Sequence, residues 1–203
     1  MPFTLFHYVF AWAVAKLDRR FSLPALFVGS VMPDVEVPII RLFFSEVVPD
    51  HYVLHSLIQT LTLGLLLSVL VVRFLYPPVI SRLFGVDRCA LDESCSVAPA
   101  LILSCAIGLA GHLILDYPMH YYNHIFWPFV DPNILVGPLV AIFAIENDLD
   151  LGYIRANVAM NTVMILLFTL VLLKIRGPGF WERFWLGESE MKEGALANQS
   201  TME

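Results

Sequence analysis

The chain reads as an all-α integral membrane bundle, with about five membrane helices and one further helix that is interfacial or re-entrant on the outer side. Three observations point to this class. Of the 203 residues 58% are hydrophobic and only 15% charged, with a mean hydropathy of +0.74, a balance wrong for a water-soluble domain. Three segments, Leu57 to Val72, Val97 to Leu115 and Val158 to Leu173, are apolar runs bounded by charge or proline, near the lower end of the ~17 to 25 residues that a bilayer needs. All six histidines, His7, His51, His55, His112, His120 and His124, fall at one end of the apolar segments, and nearly all the lysines and arginines fall at the other.

The elements follow in order. Phe3 to Ala15 and Phe21 to Met32, joined by the basic turn Lys16-Leu17-Asp18-Arg19-Arg20, read as helices one and two, a short hairpin dipping through a thin or protein-filled region. The three long runs are helices three, four and five. Ile134 to Ile145, interrupted by Gly137-Pro138, is too short to cross without inverting the last helix, so it is placed at the outer surface. With single crossings, Lys16, Arg19, Arg20, Arg73, Arg82, Arg88, Lys174, Arg176 and Arg183 share one side and only Arg41 and Arg155 oppose them; the positive-inside rule then puts the N-terminus outside and the C-terminus in the cytoplasm of a cell or inner membrane. Tyr117, Tyr121, Tyr122, Phe126, Trp127 and Phe129 read as the outer aromatic belt, and Phe180, Trp181, Phe184 and Trp185 as the inner one. Residues 1–186 make the membrane domain, and 187–203 a polar, disordered tail. The first residues carry no signal-peptide pattern, so His7 is expected in the mature chain.

Several function classes drop out. The net charge of −6 comes partly from the tail and no basic stripe is present, which argues against nucleic acid as a partner. The three cysteines lack CxxC spacing and read as free thiols, Cys89 and Cys95 in a loop and Cys105 in a buried helix. With no Gly-x-Ser-x-Gly elbow, a serine or cysteine nucleophile finds no support.

Histidine is the commonest metal ligand, and ionisable groups in a membrane segment are costly unless they are paired. His112, Asp116 and His120 recur every four residues, so on a continuous helix they stack on one face and grip one ion or bridge two. His51 and His55 repeat that spacing at the start of helix three, as a pair on one helix face. Asp34, after Pro33 at the end of helix two, and His7 in helix one complete the candidate ligands: His7, Asp34, His51, His55, His112, Asp116 and His120. Asp34, Asp116 and His120 are the candidate catalytic residues, and His124 is a candidate outer group. Each has a plainer reading, His7 as a hydrogen-bonded structural residue and Asp34 as a helix stop, but structural accidents would scatter over both faces.

The stretches Met1-Pro-Phe-Thr-Leu-Phe-His7, Gly29-Ser-Val-Met-Pro-Asp34, His51-Tyr-Val-Leu-His55-Ser, and Gly111-His112-Leu-Ile-Leu-Asp116 leading to Phe126-Trp-Pro-Phe129 resemble the motifs of membrane-bound metal-dependent hydrolases of the YdjM type. Tyr52 and Leu54 stand where that family has Arg and Thr, so the likeness rests on His55 more than on His51. Through that family the chain is distantly similar to zinc-dependent phospholipase C and single-strand nucleases of the P1 type. The resemblance implies one to three divalent ions, zinc first and manganese second, and hydrolysis of a phosphate ester or phosphodiester of a membrane lipid or lipid-linked substrate. A zinc-dependent lipid amide hydrolase of the ceramidase kind, with one ion, and a non-enzymatic metal-binding membrane protein stand as alternatives.

Overall fold

The computed structural model describes residues 4–44, 51–146 and 148–187. Among them the chain is all-helical, without a strand. A 3-10 turn, Thr4–His7, leads into α1, Tyr8–Leu17. Then come α2, Leu23–Val31, the 3-10 turn Pro33–Val35 and α3, Glu36–Phe43. The long α4 spans Leu57–Phe84, and α5 is Arg88–Ser94. Next, α6 runs over Pro99–Asp116 and continues as a 3-10 turn, Tyr117–Met119. Finally α7 is Pro138–Phe143, α8 Leu149–Ile175 and α9 Phe180–Trp185. The expected tail, from Glu188 onward, and the opening Met1-Pro-Phe lie outside the described residues.

Three helices are long and apolar enough to cross a membrane: α4, α6 with its 3-10 extension, and α8, at mean hydropathies of 2.0, 1.7 and 2.2. The pair Leu23–Val31 and Pro33–Phe43, bent by 42°, is a fourth if it counts as one broken span. Thr4–Leu17 is apolar but shorter. This is the composition of a membrane protein.

Local chemistry explains the boundaries. Ser22 caps α2 by accepting from the Ala25 amide, with Pro24 in the first turn, where its missing N–H costs nothing. Helix three was expected to end at Val72, yet α4 runs through Pro77 and Pro78 to Phe84. The π-type turn Val71–Leu75 just ahead of those prolines widens the helix and takes up the carbonyls a proline ring would otherwise meet. Gly85, at φ 69, then closes it with a left-handed cap. The segment 134–145 contains only the short α7, and Gly152 of α8 lies so near it that a Cβ there would strike the Val140 carbonyl.

Basic side chains of separate helices do meet. Lys16 of α1 and Lys174 of α8 approach the Trp12 ring, at 5.7 and 5.4 Å from its centroid, and Arg73 and Arg88 both reach Asp92, at 4.0 and 2.8 Å. The inner aromatic belt differs from expectation. Phe184 and Trp185 are buried because Tyr8 stacks on the Phe184 ring at 4.2 Å and donates to its carbonyl at 2.8 Å, while Tyr76 donates to the Trp185 carbonyl at 2.8 Å. Of that group Trp181 is exposed. Cys89 lies on α5 instead of in a loop and is exposed, whereas Cys95 and Cys105 are buried; all three are free thiols.

Candidate metal centre

The site starts from a close crossing of α2 and α6. A Cβ on Gly29 would run into the Cys105 carbonyl and one on Gly108 into the Leu26 carbonyl, so only glycine allows the two backbones to touch. That contact brings the Ser30 carbonyl within 2.8 Å of His112 Nδ1. One turn past Ser30 the chain meets Pro33, bends, and turns Asp34 inward, 5% exposed. Asp116 lies one turn beyond His112 on α6. His7, at the junction of the first 3-10 turn and α1, stacks its ring on that of His112, with centroids 4.5 Å apart.

Two expected helix faces are not helical. His51 and His55 lie in a turn-rich loop, and α4 begins only at Leu57, where Ser56 accepts from the Gln59 amide as its cap. The loop is shaped by Glu36 of α3, which accepts from the Tyr52 amide (2.8 Å), the Leu54 amide (2.7 Å) and His55 Nδ1 (2.7 Å). His120 is likewise off the regular helix. The α-helix ends at Asp116 and a 3-10 turn through Pro118 leads to an extended His120, whose Nδ1 donates back to the Asp116 carbonyl at 3.0 Å.

All seven expected ligands are buried and converge. One ligand from each of Asp34, His55, His112 and Asp116 lies within 4.8 Å of the others, and the same holds for His51, Asp116 and His120. Asp116 belongs to both groups. His7 stands outside them, with Nε2 3.9 Å from Asp116 Oδ1. His124 also lies outside, packing against Tyr52 and Tyr122.

Hydrogen bonding fixes the tautomers. Nδ1 donates to the Thr4 carbonyl in His7, to Glu36 in His55, to the Ser30 carbonyl in His112 and to the Asp116 carbonyl in His120. A neutral imidazole with its proton on Nδ1 presents a bare lone pair at Nε2. These four lone pairs face a centre that holds two carboxylates: His7 Nε2, His120 Nε2 and all four oxygens of Asp34 and Asp116 are buried without a hydrogen-bond partner. The Thr4 hydroxyl approaches Asp34 but does not reach bonding geometry. His55 and His112 point Nε2 at Nε2 across 3.3 Å. Contacts from these nitrogens to the carboxylates run from 3.5 to 3.9 Å, long for hydrogen bonds. They are near the ~3.3 Å that separates ligand atoms around a tetrahedral ion with bonds of about 2.0 to 2.1 Å. Such a cluster of acceptors is costly to bury unless a cation neutralises it. A metal ion fits this donor set; imidazole and carboxylate do not decide which.

Burial keeps the outer histidines neutral and ready to ligate. It pushes His51 down to about 2, with His55 next in effect. It also drives His55 well below the ordinary imidazole range, and His120 and His124 downward. The centre opens through a cleft lined by His51, His55, Asp116, Tyr117, His120, Asn123 and His124 among others. Asn123 shapes the cleft by donating to the His120 and Leu135 carbonyls, at 3.2 and 2.7 Å.

Sequence reasoning missed Ser30 and left Glu36 without a role. Neither is a ligand, but both fix a ligand's ring. The signal for Glu36 was its acidity two residues past Asp34 in an apolar stretch, where an unpaired carboxylate is expensive.

Fold and site together define an all-helical protein of membrane character with a buried His/Asp centre suited to a metal ion. The chain belongs to the family described as a domain of unknown function (DUF4184), which matches residues 1–145 and so includes every candidate ligand, while α8 and α9 follow it. No curated protein and no solved structure matches the chain.

Proposed function

We propose that the chain is a membrane-embedded, metal-dependent hydrolase that cleaves a phosphate ester or phosphodiester of a lipid or lipid-linked substrate at the non-cytoplasmic face. The observation that carries this reading is the meeting of bare imidazole nitrogens with two buried carboxylates whose oxygens have no hydrogen-bond partner, arranged as two ligand groups that share Asp116. Two ligand groups sharing one carboxylate beside an open cleft would suit a pair of ions and phosphoryl transfer better than amide cleavage by a single ion. The resemblance to YdjM-type hydrolases supports the same chemistry. Zinc is the first choice and manganese the second. In this reading α1, α2 with α3, α4, α6 and α8 make five crossings, with the N-terminus outside.

When bound, a pair of divalent ions supplies a water of pKa near ~7 and positive charge for the phosphoryl oxygens. The chain's own residues do the rest. Asp34, His55, His112 and Asp116 make the inner position, and His51, Asp116 and His120 the outer one. Asp34 and Asp116, whose oxygens lack donors, are placed to accept a proton from the attacking water and orient it. His120 stands at the cleft as a ligand of the outer position, where the phosphate would arrive, and Asn123 holds its backbone.

Elemental analysis of the purified protein in detergent tests the ligand sets separately. Two ions per chain are expected, with His120→Ala and His112→Ala each losing about one and Asp116→Ala losing both. Turnover of a panel of phospholipids and lipid phosphates should require added metal after chelation. A folded wild type that keeps its ions and turns over none of the panel would make the centre a structural staple.

A further inference from the structure

Helix α1 begins beside His7 and ends, away from the metal ligands, in a second cluster built from two lysines and one indole. Trp12 packs against the core, and the amines of Lys16 and Lys174 stand 5.7 and 5.4 Å from its ring centroid. One lysine comes from α1 and the other from α8, so opposite ends of the chain hold two like charges around one small group. Each lies in the last turn of its helix, where the carbonyl end of the dipole favours a cation. That preference explains a lysine on each helix but not their meeting on one ring.

Other cations of this end are settled by carboxylates: Asp18 clamps Arg20, at 2.6 Å, and Asp92 receives Arg73 and Arg88, at 4.0 and 2.8 Å. Lys174 has no carboxylate within reach among the described residues, only the Trp12 ring. The attraction of an exposed cation to an indole is weak, which leaves Lys174 open to an anion. The surroundings are those of a bilayer boundary. Both lysines are exposed, and so are the leucines that adjoin them, Leu17 and Leu173, and Leu170 one turn deeper on the Lys174 face of α8. Only 17% of the apolar window of α8 is covered by protein. An amine at the end of an apolar helix, with an indole beside it and bare leucines below, marks the level at which head-group phosphates lie. A free phosphate ion would use the amines alone, whereas a lipid also uses the leucines.

We propose that Trp12, Lys16 and Lys174 form a site for an anionic phospholipid, with its phosphate at the two amines and its acyl chains along the bare face of α8. A zwitterionic lipid brings its own cation to that place and binds less well. The bound lipid ties α8, which follows the matched family region, to α1 within it. The site needs α8 to cross a membrane; it does not need the metal centre to be active.

The test places the full-length protein in phosphatidylcholine vesicles that contain either dibrominated phosphatidylglycerol or dibrominated phosphatidylcholine, whose bromines quench a neighbouring tryptophan. Subtracting the signal of Trp12→Phe isolates Trp12 from the other tryptophans. The anionic lipid should be favoured about five- to thirty-fold over the zwitterionic one. Lys174→Gln should lower that preference about five-fold, Lys174→Arg should keep it, and Lys16→Gln combined with Lys174→Gln should remove it. Arg82→Gln, which neutralises another exposed cation of the same end, should leave most of it. Equal quenching by the two lipids would overturn the proposal. So would a loss with Arg82→Gln as large as with Lys174→Gln, because it would reveal only the diffuse attraction of a basic surface. Free glycerol phosphate at the concentration of the lipid separates the two sources of phosphate: a preference that it abolishes would replace the lipid by a soluble anion and sink the lipid site.

Discussion

Glu36 holds no ion, yet at the scale of single residues it controls whether His55 can. Its carboxylate accepts three hydrogen bonds from one short loop, two from backbone amides and one from the imidazole, and by fixing the proton on Nδ1 it aims Nε2 at the centre. Glu36→Gln keeps the shape but replaces an acceptor oxygen by an NH2 group that must face one of those donors. Metal affinity at the inner position is expected to fall about 10- to 100-fold, measured by competition with a chromophoric chelator, while the outer ion stays. Equal loss of both ions would mean that Glu36 holds the fold and not one ring. A second residue-scale expectation concerns acid. Burial lowers the pKa of His51 from 6.5 to about 2, so between those values the unfolded chain binds protons that the folded chain refuses, and stability falls as pH drops below about 6.5. Bound metal acts in the same direction, because it requires the neutral ring. Thermal melts from pH 8 to 4 should show a falling midpoint below about 6.5, steeper with metal than without; a flat profile would contradict neutral burial.

At the scale of elements, the centre depends on how closely α2 and α6 approach. Gly29 and Gly108 face backbone, which cannot swing aside, whereas a Cβ on Gly111 would meet only the movable ring of Phe10. Gly108→Ala should therefore cost about 1 to 3 kcal/mol and loosen the Ser30 to His112 hydrogen bond, lowering metal content together with stability. Gly111→Ala should cost less, because the Phe10 side chain can swing aside about its Cα–Cβ bond whereas backbone cannot. Denaturant or thermal unfolding in detergent, paired with metal analysis, ranks the two; a larger loss for Gly111→Ala would refute the reasoning. The elements also explain what could be read in advance. His112 and Asp116 were legible because both sit within regular α6, where a spacing of four means one face. His51 and His55 carry the same spacing but no helix, and their convergence comes from Glu36, eighteen or so residues upstream, through hydrogen bonds that no periodicity encodes. The burial of Phe184 and Trp185 was equally hidden, since it depends on Tyr8 and Tyr76 arriving from distant segments.

For the whole molecule the governing fact is polarity along the helix axes, because ligand side chains collect around one end while Lys16, Lys174, Arg73 and Arg88 cluster around Trp12 and Asp92. Composition was enough to anticipate a helical membrane protein, and three helices meet the length and hydropathy that crossing demands. The number of crossings is harder to read, because α1 is short and α2 with α3 is bent by 42° where Pro33 delivers Asp34 to the centre. A membrane core tolerates such a break only where protein covers it, and here the covering groups are the ligands themselves. The basic residues give the expected orientation, their end in the cytoplasm, and the chain carries its own reporter for testing it. Cys89 on α5 is exposed while Cys95 and Cys105 are buried, so a thiol reagent should see one native site. With Asp150→Cys added in the exposed first turn of α8, a membrane-impermeant maleimide applied to intact cells or right-side-out vesicles is expected to label position 150 and spare Cys89, and both should label after permeabilisation. Labelling of Cys89 alone from outside would invert the protein, place the metal centre in the cytoplasm, and remove the reason for seeking its substrate in the outer leaflet.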